Sequence, residues 1–237
     1  MAKAPVPGRC KTRMMPALNA DQAAALSAAF LGDITENLHL AARQAPITPY
    51  LAFAPAGAEA LFDGLLAPRT HLILADGSIA APPGVQGFGI CLLHAIQTML
   101  AAGHSAACVL NSDSPTLPTA ALAQAATWLA TPGPHAKPRV VLGPADDGGY
   151  YLLGMTSAHA HLFRDIAWST DTVAAQTRAR AAEAGLELLE LPTWYDVDDA
   201  AALRRLRAEL ADPAACGFHA PRTAAALAGM ADRQAAA

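Results

Sequence analysis

Five residues, Asn111-Ser112-Asp113-Ser114-Pro115, put a carboxylate where metal-phosphate chemistry needs one. They follow an apolar run, Ala106 to Leu110, that reads as a buried strand bounded by Gly103, Pro115 and Pro118. Pro115 biases Ser114 away from helical dihedrals, so the strand ends in a short turn with Asp113 at the carboxyl edge of a sheet. Open α/β sheets bind ligands at that edge. One carboxylate there suits a divalent cation holding a diphosphate, because Mg²⁺ takes one or two protein carboxylates and completes its shell with phosphate oxygens and water. The plainer role for Asp113 is a turn residue ahead of a helix starting near Thr119.

Three other segments carry chemistry. Lys3 to Arg13 is a loop stiffened by Pro5, Pro7 and Gly8 that holds Lys3, Arg9, Lys11 and Arg13 together with the Thr12 hydroxyl. Charge-assisted donors on a backbone that ligands can approach are what phosphate recognition needs. The alternative is a solvated basic arm. Asp146-Asp147-Gly148-Gly149 joins two strands; its glycines permit positive φ and its adjacent carboxylates are costly to crowd without a cation or ligand hydroxyls, although Asp-Gly is also a hairpin signal. In Trp194-Tyr195-Asp196-Val197-Asp198-Asp199, Asp196 and Asp198 alternate and can point the same way from an extended segment, while Asp199 sits where a helix N-cap would. Ser169 and Thr170 read as caps of a following helix. Gly8 to Thr12 lacks a P-loop's second glycine and preceding strand, Gly84 to Gly89 lacks the dinucleotide-binding spacing, and no Gly-x-Ser-x-Gly elbow is present.

The elements that must position these residues alternate. Helical spacing runs over Asp21–Ala42, Ala58–Leu66, Gly89–Ala102, Thr119–Leu129, Thr170–Ala184 and Ala200–Leu210. Strands read over Pro49–Phe53, His71–Leu74, Ala106–Leu110, Arg139–Leu142, Tyr150–Gly154 and Leu186–Leu189, and Pro132 to Pro138 reads as a loop. That order predicts an α/β fold with a mostly parallel central sheet covered on both faces. Residues 1–211 are expected as one domain and 212–237 as a loosely ordered Ala-rich tail.

Composition narrows the function classes. A chain of 237 residues that is 53% hydrophobic supports a core, and a net charge of −4 without a basic stripe argues against a nucleic-acid partner. No apolar run reaches the about 18 residues of a membrane span, and Lys3 and Pro5 interrupt any signal-peptide pattern. The four cysteines form no C-x-x-C pair, as expected of a reduced cytoplasmic protein. His159 and His161 read as a solvent-exposed turn.

Taken in order, Lys3–Arg13, Gln86-Gly87, Asn111–Pro115, Gly143–Gly154, Trp168–Thr170 and Tyr195–Asp199 resemble a bacterial group of small GT-A-fold proteins. These are the nucleotide-diphospho-sugar transferases or arsenosugar-biosynthesis-type glycosyltransferases, related to 2-phospholactate guanylyltransferase and the molybdenum-cofactor guanylyltransferases. The resemblance covers about Lys3 to Leu210 and implies a Rossmann-like three-layer sandwich. It implies that the loop with Lys3, Gly8, Lys11, Thr12 and Arg13 holds the nucleotide phosphates, that Asp113 binds the metal, and that Asp147, Gly148 and Gly149 line the acceptor or sugar pocket. Gln86 is expected to help bind the nucleotide, and Asp196 or Asp198 to complete the coordination of Mg²⁺ or Mn²⁺. Lys11 and Arg13 would neutralise the leaving diphosphate and Asp147 would orient or deprotonate the acceptor hydroxyl. Two departures stand out. The family places an apolar first strand before the lysine loop, where this chain has only Met1 and Ala2, so that strand is expected to be missing or truncated. The family also carries an arginine after Gln-Gly, where this chain reads Phe88-Gly89-Ile90-Cys91.

The expected function is a metal-dependent glycosyltransferase moving a sugar from a nucleotide-diphosphate sugar to a small acceptor. The alternatives are a nucleotidyltransferase joining an NTP to a phosphorylated metabolite, and a non-catalytic nucleotide-binding protein.

Overall fold

The computed structural model describes the chain except Pro16, residues 132–136, Pro213 and residues 236–237, and leaves the side chains of residues 231–235 undescribed. The Pro132 to Pro138 loop therefore falls mostly outside the described residues.

The elements follow the order β1 (Ala2–Lys3), α1 (Ala20–Ala41), β2 (Tyr50–Ala54), β3 (His71–Leu74), α2 (Phe88–Ala101), β4 (Ala107–Leu110), α3 (Thr119–Ala130), β5 (Arg139–Pro144), β6 (Tyr150–Met155), α4 (Val173–Glu183), β7 (Glu187–Glu190), α5 (Ala200–Ala211) and α6 (Pro221–Ala235). Strands β1, β2 and β3 form an all-parallel sheet in that order. The second sheet runs β4-β6-β5-β7, with β6 antiparallel to both neighbours and β7 parallel to β5. The antiparallel insertion is a hairpin: the turn after Pro144 is too short for the crossover that a parallel neighbour requires.

Side chains alternate across the second sheet and divide the core. Val140, Leu142, Leu153 and Met155 face a cluster with Leu92, Leu93 and Ile96 of α2 and Ala174 and Ala181 of α4. Val141 and Leu152 face the other way, against Ala41 of α1 and Leu122, Ala125 and Leu129 of α3; Tyr151, left out of the alternation by a register shift at Gly143/Pro144, packs into the same cluster. Helix, sheet and helix make the three layers expected of an α/β fold.

Local signals explain several boundaries. Asn19 caps α1 and Gln22 reaches back to the Asn19 N–H, a complete capping box. Asp199 caps α5 by accepting from the N–H groups of Ala201 and Ala202. The stretch expected as a helix from Ala58 to Leu66 shrinks to a 3-10 turn at Glu59–Phe62, with Gly57 and Gly64 at positive φ on either side. Helix α4 starts at Val173, not at Thr170. Ser169 takes φ 65°, Thr170 Oγ1 donates to the Ala167 carbonyl at 2.7 Å, and neither side chain caps the helix.

The stretch after Asp212 contains α6. Asp33 in the middle of α1, 1% exposed, accepts from the backbone N–H groups of Arg222 at 3.0 Å and Thr223 at 2.7 Å. A carboxylate from one helix thus caps the start of another, and Leu227 and Met230 bury themselves with Phe30, Leu203 and Leu206.

The first strand has two residues, Ala2 and Lys3, paired with Phe53 and Ala54. Its short length leaves a largely apolar cavity of about 510 Å³ behind Met1, lined among others by Leu51 and Ala52 of β2, Val109 of β4, Leu38 of α1 and Leu129 of α3.

Candidate functional site

Two chain segments far apart in sequence are laced together at the carboxyl end of β4. The Val197 N–H donates to the Asp113 carbonyl at 2.8 Å. The Ser114 hydroxyl, 1% exposed as a residue, donates to the Tyr195 carbonyl at 2.8 Å. Tyr195 is buried beneath, its hydroxyl bonded to Glu209 and its ring covered by the Arg205 guanidinium at 3.7 Å. The turn after β4 and the strand-like Asp196–Asp198 segment therefore hold a fixed relation, and their carboxylates converge.

Lys11 closes this site. Its Nζ lies 2.6 Å from Asp113 Oδ1, 2.9 Å from Asp198 Oδ1 and 2.9 Å from the Val197 carbonyl, with its side chain 5% exposed. An ammonium has three protons, and these three acceptors use them all. Lys11 adopts φ 50° and ψ 36°, a left-handed conformation uncommon for a side-chain-bearing residue, and its Nζ sits 5.3 Å from the centre of the Phe30 ring. Arg13, on the 3-10 turn that follows, reaches Asp198 Oδ2 at 2.5 Å from an exposed position.

Electrostatics separate the three acids. Burial raises the Asp113 carboxyl, with Lys11 opposing and Asp198 adding to the rise. Burial also pushes Asp198 up, but Lys11 and Arg13 together pull it below the ordinary carboxylate range. Among the described residues no cation pairs with Asp196; burial, then Asp198, Asp147 and Asp113, raise it to about 6.

Among the described residues no three His, Cys, Asp or Glu side chains gather as a metal cage. The donor set nevertheless fits a hard cation: Asp113 and Asp198 aim at one cationic point, now the Lys11 ammonium, and each side chain is just under 30% exposed. Two carboxylates at one point, with room for further oxygens, match a cation that shares its shell with phosphate and water.

The remaining candidates are dispersed. Asp147 sits on the exposed β5–β6 turn, close enough to Asp196 to raise it, and its Oδ1 accepts from the Gly149 N–H at 2.8 Å. Gly148 (φ +87°) has an intramolecular reason to be glycine, since a Cβ there would lie 2.0 Å from the Asp171 carbonyl oxygen. Asp146 pairs with Arg205 at 2.7 Å. Thr12 opens the 3-10 turn, Gly8 lies in open space, and Lys3 and Gln86 are exposed. Among the described residues no hydrogen bond or ion pair ties Lys3, Gly8, Thr12 or Gln86 to the carboxylates. Sequence reasoning missed Ser114 and Tyr195 as the lacing of the site. The hydroxyl directly after Asp113 and the aromatic directly before Asp196 were the available signals.

The whole chain is similar to a known structure. A crystal structure of a putative nucleotide-diphospho-sugar transferase from Desulfovibrio desulfuricans matches with a TM-score of 0.80 and 27% identity, over 98% of this chain and 94% of that one. No curated protein matches the sequence significantly. The family model described as an uncharacterized protein conserved in bacteria, DUF2064, matches residues 37–170, which include Asp113, the Asp147 turn and Trp168–Thr170. More than half of the chain lies within that match, and the chain belongs to the DUF2064 family.

Proposed function

We propose that the protein is a metal-dependent glycosyltransferase that moves a sugar from a nucleotide-diphosphate sugar to a small acceptor. The observation that carries this reading is the convergence of Asp113 and Asp198 on one cation position at the carboxyl edge of β4. The likeness to a Desulfovibrio protein named for the same substrate class supports it. In this reading Asp113 and Asp198 hold Mg²⁺ or Mn²⁺, with Asp196 beside them to complete the set. Such a cation, when bound, supplies Lewis-acid stabilisation of charge on the departing diphosphate.

The chain's own residues supply the other steps. Lys11 and Arg13 exchange carboxylate partners for phosphate oxygens and neutralise them as charge develops. The loops carrying Lys3, Gly8, Thr12 and Gln86 border the nucleotide, and Gly148 and Gly149 border the sugar or acceptor. Asp147 takes the acceptor hydroxyl's proton as that oxygen bonds to the anomeric carbon; the carbon–oxygen bond to the diphosphate breaks, and its electron pair leaves with the diphosphate. The four cysteines are all free, which fits a cytoplasmic setting.

Thermal-shift titration with nucleoside diphosphates and nucleotide sugars, with and without Mn²⁺, tests the site, because a ligand of the folded state raises its stability by mass action. Wild type should show Mn²⁺-dependent stabilisation and Asp113→Ala none, with an unchanged circular dichroism spectrum. Equal stabilisation in both proteins would remove Asp113 from the site. A nucleotidyltransferase would instead release pyrophosphate from an NTP, whereas glycosyl transfer releases a nucleoside diphosphate from the sugar donor.

A further inference from the structure

Lys11 stands where Asp113 and Asp198 meet, on the point that a divalent cation would take. Asp113 Oδ1 lies 2.6 Å from its Nζ and Asp198 Oδ1 2.9 Å, while Asp198 Oδ2 is held by Arg13. Lys11 therefore has to withdraw before the two carboxylates can share another cation. Its backbone is fixed: the Lys11 carbonyl accepts from the Met14 N–H at 3.0 Å, and Cys10 and Met14 are both buried. The movable part is the flexible four-carbon stem. We propose that Lys11 is an interlock that makes the site bind a divalent cation and a diphosphate cooperatively, each poorly without the other. The proposal rests on the reading of Asp113 and Asp198 as cation ligands and adds how cation and diphosphate depend on one another.

Each half-filled state leaves charges unpaired. A divalent cation alone displaces an ammonium whose three protons are all in use and whose side chain is 5% exposed, and it offers that ammonium no acceptor. The other groups beside Lys11 Nζ, the Val197 carbonyl and the Phe30 ring with its centre 5.3 Å away, carry no charge. A diphosphate alone draws Lys11 and Arg13 onto its oxygens and leaves Asp113 and Asp198 without a cation, with Asp196 and Asp147 close by. When both are bound, Lys11 and Arg13 face phosphate and the carboxylates face the cation, so every charge has an opposite neighbour. Each ligand thus removes the cost of the other, and linkage makes the effect reciprocal. Arg13 is not part of the interlock. It reaches Asp198 from outside with its side chain 75% exposed, so water replaces its partner at little cost.

Titration calorimetry with Mn²⁺, alone and with methylenediphosphonate as the diphosphate, tests the interlock in wild type, Lys11→Met and Arg13→Ala. Lys11→Met should bind Mn²⁺ alone at least about 10-fold more tightly than wild type, and Arg13→Ala should gain clearly less. Methylenediphosphonate should tighten Mn²⁺ binding by wild type at least about 10-fold more than binding by Lys11→Met; its own affinity for Mn²⁺ cancels in that ratio. A second measurement needs no variant to fold: acetic anhydride labelling of Lys11 in wild type, read by mass spectrometry against the exposed Lys3 and Lys137. Saturating Mn²⁺ alone should raise the labelling of Lys11 severalfold relative to both. Equal Mn²⁺ affinity in wild type and Lys11→Met, an equal gain in Lys11→Met and Arg13→Ala, or a Lys11 still protected at saturating Mn²⁺ would each overturn the interlock while leaving the two carboxylates as cation ligands. No Mn²⁺ binding by any of the three proteins, with or without the diphosphonate, would overturn that reading as well.

Discussion

Lys11 is the residue on which the site's electrostatics turn. Its ammonium satisfies Asp113 and Asp198 together, and its side chain is almost fully buried. Removing one partner of a buried ion pair costs about 3–5 kcal/mol, and the partial exposure of both carboxylates reduces that here to about 2–3 kcal/mol. Lys11→Met should therefore lose about 2–3 kcal/mol in urea unfolding, and millimolar Mg²⁺ or Mn²⁺ should recover part of it by standing between Asp113, left without a cation, and Asp198, left with Arg13 alone. Destabilisation untouched by either cation would show that the two acids do not form a cation site. Asp196 gives a second test at this scale. Its carboxyl ionises near pH 4 when unfolded and at about 6 when folded, so below pH 4 it has no effect. From pH 4 to 6 the unfolded state loses its proton first and stability falls; above 6 the penalty is constant. Discounted for solvent screening, it amounts to about 1–2 kcal/mol. Asp196→Asn should lack this decline and be the more stable protein at pH 7–8, as denaturant melts across pH 4–8 would register; parallel curves would refute the assigned shift.

Elements explain how much of this was legible in the sequence. Asp113 could be placed at a strand end because Pro115 is local, and the caps at Asn19 and Asp199 could be placed because a cap is set within three residues. Capping of α6 by Asp33 spans 189 residues to Arg222, and no periodicity in an alanine-rich stretch announces it. Sheet order is equally non-local, so the antiparallel insertion of β6 between β4 and β5 had no signature beyond the Asp-Gly turn. Convergence of the site was half legible: the acids could be named, but not that Lys11 would sit between them. Two substitutions probe the elements directly. Asp33→Ala should cost about 2 kcal/mol by orphaning two backbone donors, read by chemical denaturation, with faster amide exchange at the start of α6 as its local mark. Gly148→Ala should cost about 3 kcal/mol or more, because its Cβ meets the Asp171 backbone at positive φ, whereas Gly8→Ala, with nothing within 4 Å, should cost about 1 kcal/mol. Similar losses for both glycines would mean that the Asp171 contact is not rigid.

At the scale of the whole molecule, α1 joins the two sheets. Leu31 packs with Leu51, Phe53 and Phe62 around the first sheet, Ala41 and Leu38 pack on the second, and Phe30 faces α5 and α6. This helix runs 22 residues, about 33 Å, and lines the cavity between β2 and β4 with Leu31, Ile34 and Leu38.

The carboxylate cluster also sets how a substrate arrives. At the centre of the site Lys11 and Arg13 pair with Asp113 and Asp198, and Asp196 and Asp147 lie beside them, two positive charges against four negative, which leaves −2 at the centre near neutral pH, with Lys3 and Arg9 farther out on the loop. A free nucleoside diphosphate approaching this mouth meets repulsion within a Debye length of about 8 Å at physiological salt. Its association rate should therefore rise with added salt, the reverse of an enzyme that draws in anions with a basic funnel. The same nucleotide carrying a divalent cation has shed most of its charge and should bind at a rate nearly indifferent to salt. Stopped-flow traces at two ionic strengths would separate the cases, and they bear on the order of encounter: the cation should enter first or ride in with its nucleotide, never follow it.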